Sequence, residues 1–216
     1  MKYNLVIFDL DGTVLETLVD LANAVNHAMT LHGYPTHSVE EVRCMVGNGV
    51  ANLIKRATPA ETTEEKRAQV LADFKAYYRD HVNVFTKPYP GIIDLLKSLK
   101  DAGVKVGINS NKYDAALQNL CHIHFEGLYD MAAGECETTP RKPDPTAALR
   151  IMNALNAEKA ETIYIGDSGV DLDTAKNAGI ASAWVSWGFR KADEMQGYDL
   201  SNAFHSADEL KAYLLE

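Results

Sequence analysis

At 216 residues the chain is longer than one ordinary domain and short for two, which favours a single core carrying a smaller insertion. Hydrophobic residues at 46% and charged residues at 24% exclude a disordered chain. A formal net charge of -9 argues against nonspecific attraction to nucleic acid or to an anionic membrane, so a small anionic substrate would need a locally positive pocket.

In chain order, the first element is Leu5-Val6-Ile7-Phe8, a short apolar run ended by Asp9, which reads as a strand buried on both faces. This apolar stretch is too short for a secretory leader and runs straight into acidic residues, so a cytoplasmic protein is expected. Cys44, Cys121 and Cys136 have neither paired nor CxxC spacing and are expected to be reduced. The period then becomes helical: Leu18, Leu21, Val25 and Met29 recur on one face, and Val70, Phe74, Tyr77 and His81 on another. Residues 16–84 are therefore expected to form a helical insertion, with residues 1–15 and 85–216 forming the core domain.

Beyond Pro88-Tyr89-Pro90-Gly91, the residues Ile92, Leu95, Leu96 and Leu99 predict a helix and residues 104–108 a strand. A weaker strand is expected over 129–132, and a helix capped by Asp144 with Pro145 at its first position. Strands over 162–165 and 182–185 and a closing helix with Ser206 and Glu209 at capping-box spacing complete the series. Strands alternating with helices predict an α/β fold around a parallel sheet.

The chemistry-bearing residues sit where these strands end. Asp9 and Asp11, two apart in extended chain, can serve one site, and Gly12 permits a tight backbone departure. An Asp-Gly turn is also ordinary loop sequence. The same kind of junction recurs at Gly166-Asp167-Ser168-Gly169-Val170-Asp171. Converging carboxylates repel one another and would be stabilised by a hard divalent cation, for which magnesium (Mg2+) is the natural candidate. Asp171 and Asp173 could instead serve a helix N-terminus. Ser110 and Asn111 end the 104–108 strand as donors for phosphate oxygens, and Lys142, between an arginine and prolines, could offset the charge of an acid and a phosphate together. Each of these short matches alone is more often an ordinary loop feature.

Taken together, the order of DLDGT, NSNK, RKPDP and GDSGVD, each of the first, second and fourth following an apolar run, resembles the four motifs of the haloacid dehalogenase superfamily. That resemblance covers essentially the whole chain. It implies a doubly wound, Rossmann-like parallel-sheet core with a helical cap inserted after the first strand. It further implies Asp9 as nucleophile, Asp11 as general acid and base, and Ser110 and Lys142 as phosphate ligands, with Asn111 grouped beside them. The metal would be held by Asp9, Asp11 and Asp167, with Asp171 supporting that shell. The opening through Asn26 and the stretch Val46-Gly47-Asn48-Gly49-Val50 are similar to phosphoglycolate phosphatases, although Glu16-Thr17 stands where those have Asp-Ser.

A magnesium-dependent phosphatase acting on a small anionic phosphate ester such as 2-phosphoglycolate follows as the expected function. A phosphomutase or pyrophosphatase on the same core, or a phospho-receiver module that does not turn over, are the alternatives. Within the insertion, Gly47, Asn48 and Gly49 could present backbone N–H groups to the far end of a substrate, with Arg43, Lys55 and Arg56 as further cations; a plain connecting turn is the competing reading. His122 and His124 lack a third partner at metal-ligand spacing and read as surface or packing residues.

Overall fold

A computed structural model describes residues 2–47 and 49–216. The chain divides into two compact units, one formed by residues 1–16 and 88–216 and the other by residues 17–87.

The first unit is built on a six-stranded parallel sheet in the order β5-β4-β1-β6-β7-β8. Its strands are β1 (Leu5–Phe8), β4 (Lys105–Tyr113), β5 (Met131–Glu135), β6 (Thr162–Gly166), β7 (Ala181–Val185) and β8 (Ala203–Phe204). The remaining strands, β2 (Leu15–Glu16) and β3 (Lys87–Pro88), form a separate two-stranded ladder. All four residues of β1 are buried, as expected for a central strand covered on both sides. Leu5 and Ile7 pack with Ala147, Ile151 and Ala175 on one face, while Val6 and Phe8, one residue out of step, take the other. The core helices are α5 (Ile92–Asp101), α6 (Asp114–Phe125), α7 (Thr146–Ala154), α8 (Gly169–Ala178) and α9 (Ala207–Leu215).

The strand order explains where a site can form. From β1 the sheet grows to β4 and β5 on one side and to β6, β7 and β8 on the other, so β1 is the switch point between the two windings. Phe8 is in register with Ile108 of β4 and with Ile165 of β6. The residues that follow these three positions therefore emerge side by side at the carboxyl edge.

Several expected boundaries shift. The weak strand occupies 131–135 rather than 129–132, because its ladder to β4 begins at Met131 opposite Gly107. The helix expected to be capped by Asp144 starts at Thr146: Asp144 Oδ1 accepts from the Thr146 amide at 2.9 Å, and Pro145 is the residue before the first turn. Ser206 does cap α9, accepting from the Glu209 amide at 3.2 Å.

The second unit contains α1 (Leu18–Leu31), α2 (Val39–Met45), α3 (Val50–Ala57) and α4 (Glu64–His81), with α1 packed along α4. Leu21, Val25 and Met29 are buried as the periodicity predicts, and Val70 and Phe74 are too. Further along α4 the buried residue is Tyr78 rather than Tyr77, because the apolar stripe steps by four. Tyr77 instead stacks between His27 (ring centroids 4.0 Å apart) and His81 (3.8 Å). Asp20, in the first turn of α1, is 2% exposed. It accepts from the amides of Val84, Phe85 and Thr86 at 3.1, 3.0 and 2.8 Å and from the Thr86 hydroxyl at 2.8 Å. No helix among the described residues is long and apolar enough to cross a membrane.

Candidate active site

Asp9 follows the last residue of β1, and its amide donates to Ile165 O at 2.9 Å, which carries the sheet ladder one residue beyond the strand. Its carboxylate is buried and accepts from Lys142 Nζ at 2.7 Å. Asp167 comes one residue after β6 and Asp171 falls in the first turn of α8. Among the described residues, carboxylate oxygens of Asp9, Asp167 and Asp171 gather within 4.8 Å of one another.

Lys142 reaches this cluster from the β5–α7 loop. Its ammonium lies between Asp9 and Asp171, donating to Asp171 Oδ1 at 2.6 Å. Tyr164, fully buried on β6, places its ring 5.9 Å below Nζ and donates its hydroxyl to Asn109 O at 3.2 Å. Asn111 holds the backbone of the same lysine: its Oδ1 accepts from the Lys142 amide at 2.7 Å, and its Nδ2 donates to Lys142 O at 3.4 Å. The Asn111 side chain is thus engaged with the residue that carries the ammonium.

Burial pushes the Asp9 carboxyl well above the usual carboxylate range, because Asp171 and Asp167 add repulsion and Lys142 only partly offsets it. Burial also drives Asp167 up to about 7, with Asp171 adding to the rise; the Phe189 amide, Lys142 and Arg190 oppose it. Burial works against the charge of Lys142, but Asp171 and Asp9 outweigh it and raise that ammonium well above its ordinary value.

The oxygens are unevenly committed. Both oxygens of Asp171 have protein partners, Oδ1 with Lys142 and Oδ2 with the Ser168 amide (3.1 Å) and hydroxyl (2.6 Å). Asp171 therefore satisfies its helix N-terminus and braces Lys142 at once. Asp167 accepts from the Phe189 amide at 2.6 Å through Oδ2, while its carbonyl takes the Trp184 indole N–H at 2.8 Å. Asp9 and Asp167 each keep a second oxygen for a cation. Two hard carboxylate oxygens, with a third acid braced beside them by one bonded ammonium, suit magnesium better than a softer metal, so this donor set fits that ion.

Two glycines permit the close packing around Asp167. A Cβ on Gly188 would stand 2.3 Å from both Asp167 Cβ and Gly12 O; one on Gly12, whose φ is +89°, would meet Asp167 Oδ2 at 2.6 Å. Neither position accepts a side chain without displacing the acid.

Asp11, expected at the cation with Asp9 and Asp167, directs its carboxylate elsewhere. Oδ1 accepts from Lys112 Nζ at 2.9 Å and Oδ2 from the Ser110 hydroxyl at 3.4 Å. Asp171 takes the third place in the carboxylate cluster. Ser110, expected as a phosphate ligand, is buried. Lys112 was missed by sequence reasoning, although its spacing from Ser110 on one strand held the clue, since residues two apart in extended chain share a side. Trp184 and Phe189 were also missed as partners of Asp167, because an indole on β7 and a backbone amide in the loop that follows it leave no local motif. Gly47 and Gly49 belong to the helical unit, with φ of +123° and +84° and Gly49 as the residue before α3; Asn48 lies outside the described residues. Arg56 donates to Met45 O at 2.7 Å and Gly47 O at 2.9 Å.

Buried acids around one ammonium lie at the switch point of a doubly wound sheet, where ligands bind in open parallel sheets. The family description "Haloacid dehalogenase-like hydrolase" matches residues 6–185. The chain belongs to this family and is a hydrolase of phosphoric monoesters. Among individual relatives, a Thiobacillus denitrificans protein named phosphoglycolate phosphatase is 32% identical over 94% of this chain and 92% of its own length. One of the same name from Cereibacter sphaeroides is 37% identical over 87% of each chain. A solved structure from Lactobacillus delbrueckii subsp. bulgaricus, which carries that name provisionally, is 34% identical. It superimposes with a TM-score of 0.95 over 100% of this chain and 99% of its own.

Proposed function

We propose that this enzyme is a magnesium-dependent phosphatase that cleaves a small phosphate monoester, 2-phosphoglycolate, through an aspartyl-phosphate on Asp9. The observation that carries this reading is the convergence of Asp9, Asp167 and Asp171 within 4.8 Å about the Lys142 ammonium at the carboxyl edge of the sheet. Similarity to proteins named phosphoglycolate phosphatase over most of the chain supports the substrate.

In this mechanism an Asp9 oxygen attacks phosphorus while the bond to the ester oxygen breaks. Asp11 gives its proton to the departing oxygen. Water then attacks the aspartyl-phosphate, Asp11 takes the proton from that water, and Asp9 is released with inorganic phosphate. Lys142 holds Asp9 in place and offsets charge gathered on the phosphate oxygens, and Ser110 donates to the same group. Asp9 and Asp167 would hold magnesium, with Asp171 braced behind them by Ser168 and Lys142. The ion would screen repulsion between the acids and the incoming phosphate. The helical unit is the proposed cap, with the loop at Gly47, Asn48 and Gly49 selecting the substrate's far end.

The test is a comparison of kcat/KM across phosphoglycolate, sugar phosphates, nucleotides and pyrophosphate, with magnesium and after chelation. The expected ranking puts phosphoglycolate first, with activity lost on chelation and restored by magnesium. A sugar phosphate or pyrophosphate ranked first would reject the substrate, and full turnover by verified metal-free protein would reject the magnesium.

A further inference from the structure

The ion pair between Lys112 and Asp11 joins a lysine side chain that is 6% exposed to a carboxylate that is 20% exposed, at the edge of the site. Lys112 contacts this region twice. Its ammonium donates to Asp11 Oδ1 at 2.9 Å, and its backbone amide donates to Ser110 Oγ at 3.1 Å, while the Ser110 hydroxyl donates onward to Asp11 Oδ2 at 3.4 Å. The ring Lys112–Ser110–Asp11 thus grips both oxygens of one carboxylate. It forms where the β4–β5 register shifts between Asn109 and Tyr113, an irregularity of the kind that re-aims side chains beside active sites.

Such a grip is unlike the one on Asp9. Lys142 is shared between Asp9 and Asp171 within the carboxylate cluster, whereas Lys112 meets an acid whose carboxylate stands outside it. A cation placed only to attract phosphate gains nothing from being matched to this particular acid. A cation placed to orient that acid does, because proton transfer to a leaving oxygen demands hydrogen-bond reach and alignment.

We propose that Lys112 is a positioning residue for Asp11, holding its carboxyl group at the angle from which it protonates the leaving oxygen. This rests on the reading of Asp11 as the general acid. In the step concerned, the bond from an Asp9 oxygen to phosphorus forms, the ester P–O bond breaks with its electron pair going to the leaving oxygen, and the Asp11 proton passes to that oxygen.

The measurement is kcat/KM, which covers the chain of events through transfer to Asp9, for two substrates of opposite demand. Phosphoglycolate releases an alkoxide that needs a proton, whereas 2,4-dinitrophenyl phosphate releases a phenolate stable without one. Lys112→Met is expected to lower kcat/KM for phosphoglycolate by roughly 10- to 100-fold and that for the dinitrophenyl ester by less than about threefold. Lys112→Arg, which keeps a cation on the acid, is expected to restore most of the loss. Equal losses on both substrates would make Lys112 a phosphate-binding or structural residue, and no loss on either would leave it without a role; both overturn the proposal. Asp11→Asn separates the two levels of argument. If it shows the leaving-group pattern and Lys112→Met does not, the positioning role alone fails. If Asp11→Asn itself lowers both substrates alike, the acid assignment fails and takes Lys112 with it. Should Lys112→Met not fold, Lys112→Gln allows the same comparison.

Discussion

Two buried acids, one in each unit, show that burial alone does not mark an active site. Asp20 is 2% exposed and Asp9 6%, and neither would stand out from the other by accessibility. Asp20 is saturated by three backbone amides and a hydroxyl, donors that bring hydrogen bonds without competing charge. Asp9 shares one ammonium with Asp171 and lies close to Asp167 as well, so two acids repel it while one shared cation holds it. The first arrangement pins residues 84–86 to the start of α1. The second leaves unbalanced negative charge that a cation and a reacting phosphate complete. What separates structure from chemistry here is the balance of donors against charges, not depth.

The largest effect that would sharpen this contrast is on turnover. Asp9→Asn keeps the size of the side chain and removes its charge, so phosphate release should fall at least about 10³-fold. Circular dichroism should show the fold intact, and Tm should hold or rise, because one of three mutually repelling acids has gone. A variant that kept a substantial share of activity would remove Asp9 as the nucleophile, and a sharp drop in Tm would put it in the same structural class as Asp20.

Asp20→Ala should behave in the opposite way. It strands three amides and a hydroxyl in a buried place, which costs about 3 kcal/mol or more of stability. Hydrogen exchange at Val84, Phe85 and Thr86 should accelerate before the sheet amides do. Unchanged stability would mean that these donors find other partners, and the contrast between the two acids would collapse.

The smallest expected effect concerns pH. Burial raises the folded-state value of Asp167 to about 7, above that of an unfolded carboxylate, so between the two values the native state binds the extra proton. This contribution therefore favours the fold at low pH and is lost as pH rises toward and through 7. Metal-free protein should lose on the order of 5 °C in Tm from about pH 5 to about pH 8, and magnesium should cancel most of that loss. A metal-free Tm that climbs over the same interval would show that Asp167 is not held in this strained state.

The sequence by itself determined the α/β class, because β-branched runs and helical apolar stripes are local signals that survive in any tertiary context. It also determined which segments deliver the acids, since Asp9 follows directly on the apolar run of β1, and Asp167 and Asp171 lie in the GDSGVD stretch that follows the run of β6. Tertiary structure decided how those groups are shared. That Asp171 rather than Asp11 completes the carboxylate cluster, that Asn111 clamps the Lys142 backbone, and that Lys112 grips Asp11 all depend on side-chain directions. Those directions are set by the register of β1 against β4 and β6 and by the irregular end of β4. The structural role of Asp20 was illegible, because it is a lone aspartate within a helical apolar stripe, whereas Asp9 stood out through its place in the DLDGT motif. The groups that surround these two acids come from positions up to 162 residues away for Asp9 (Asp171) and 66 for Asp20 (Thr86), and only folding brings them into reach.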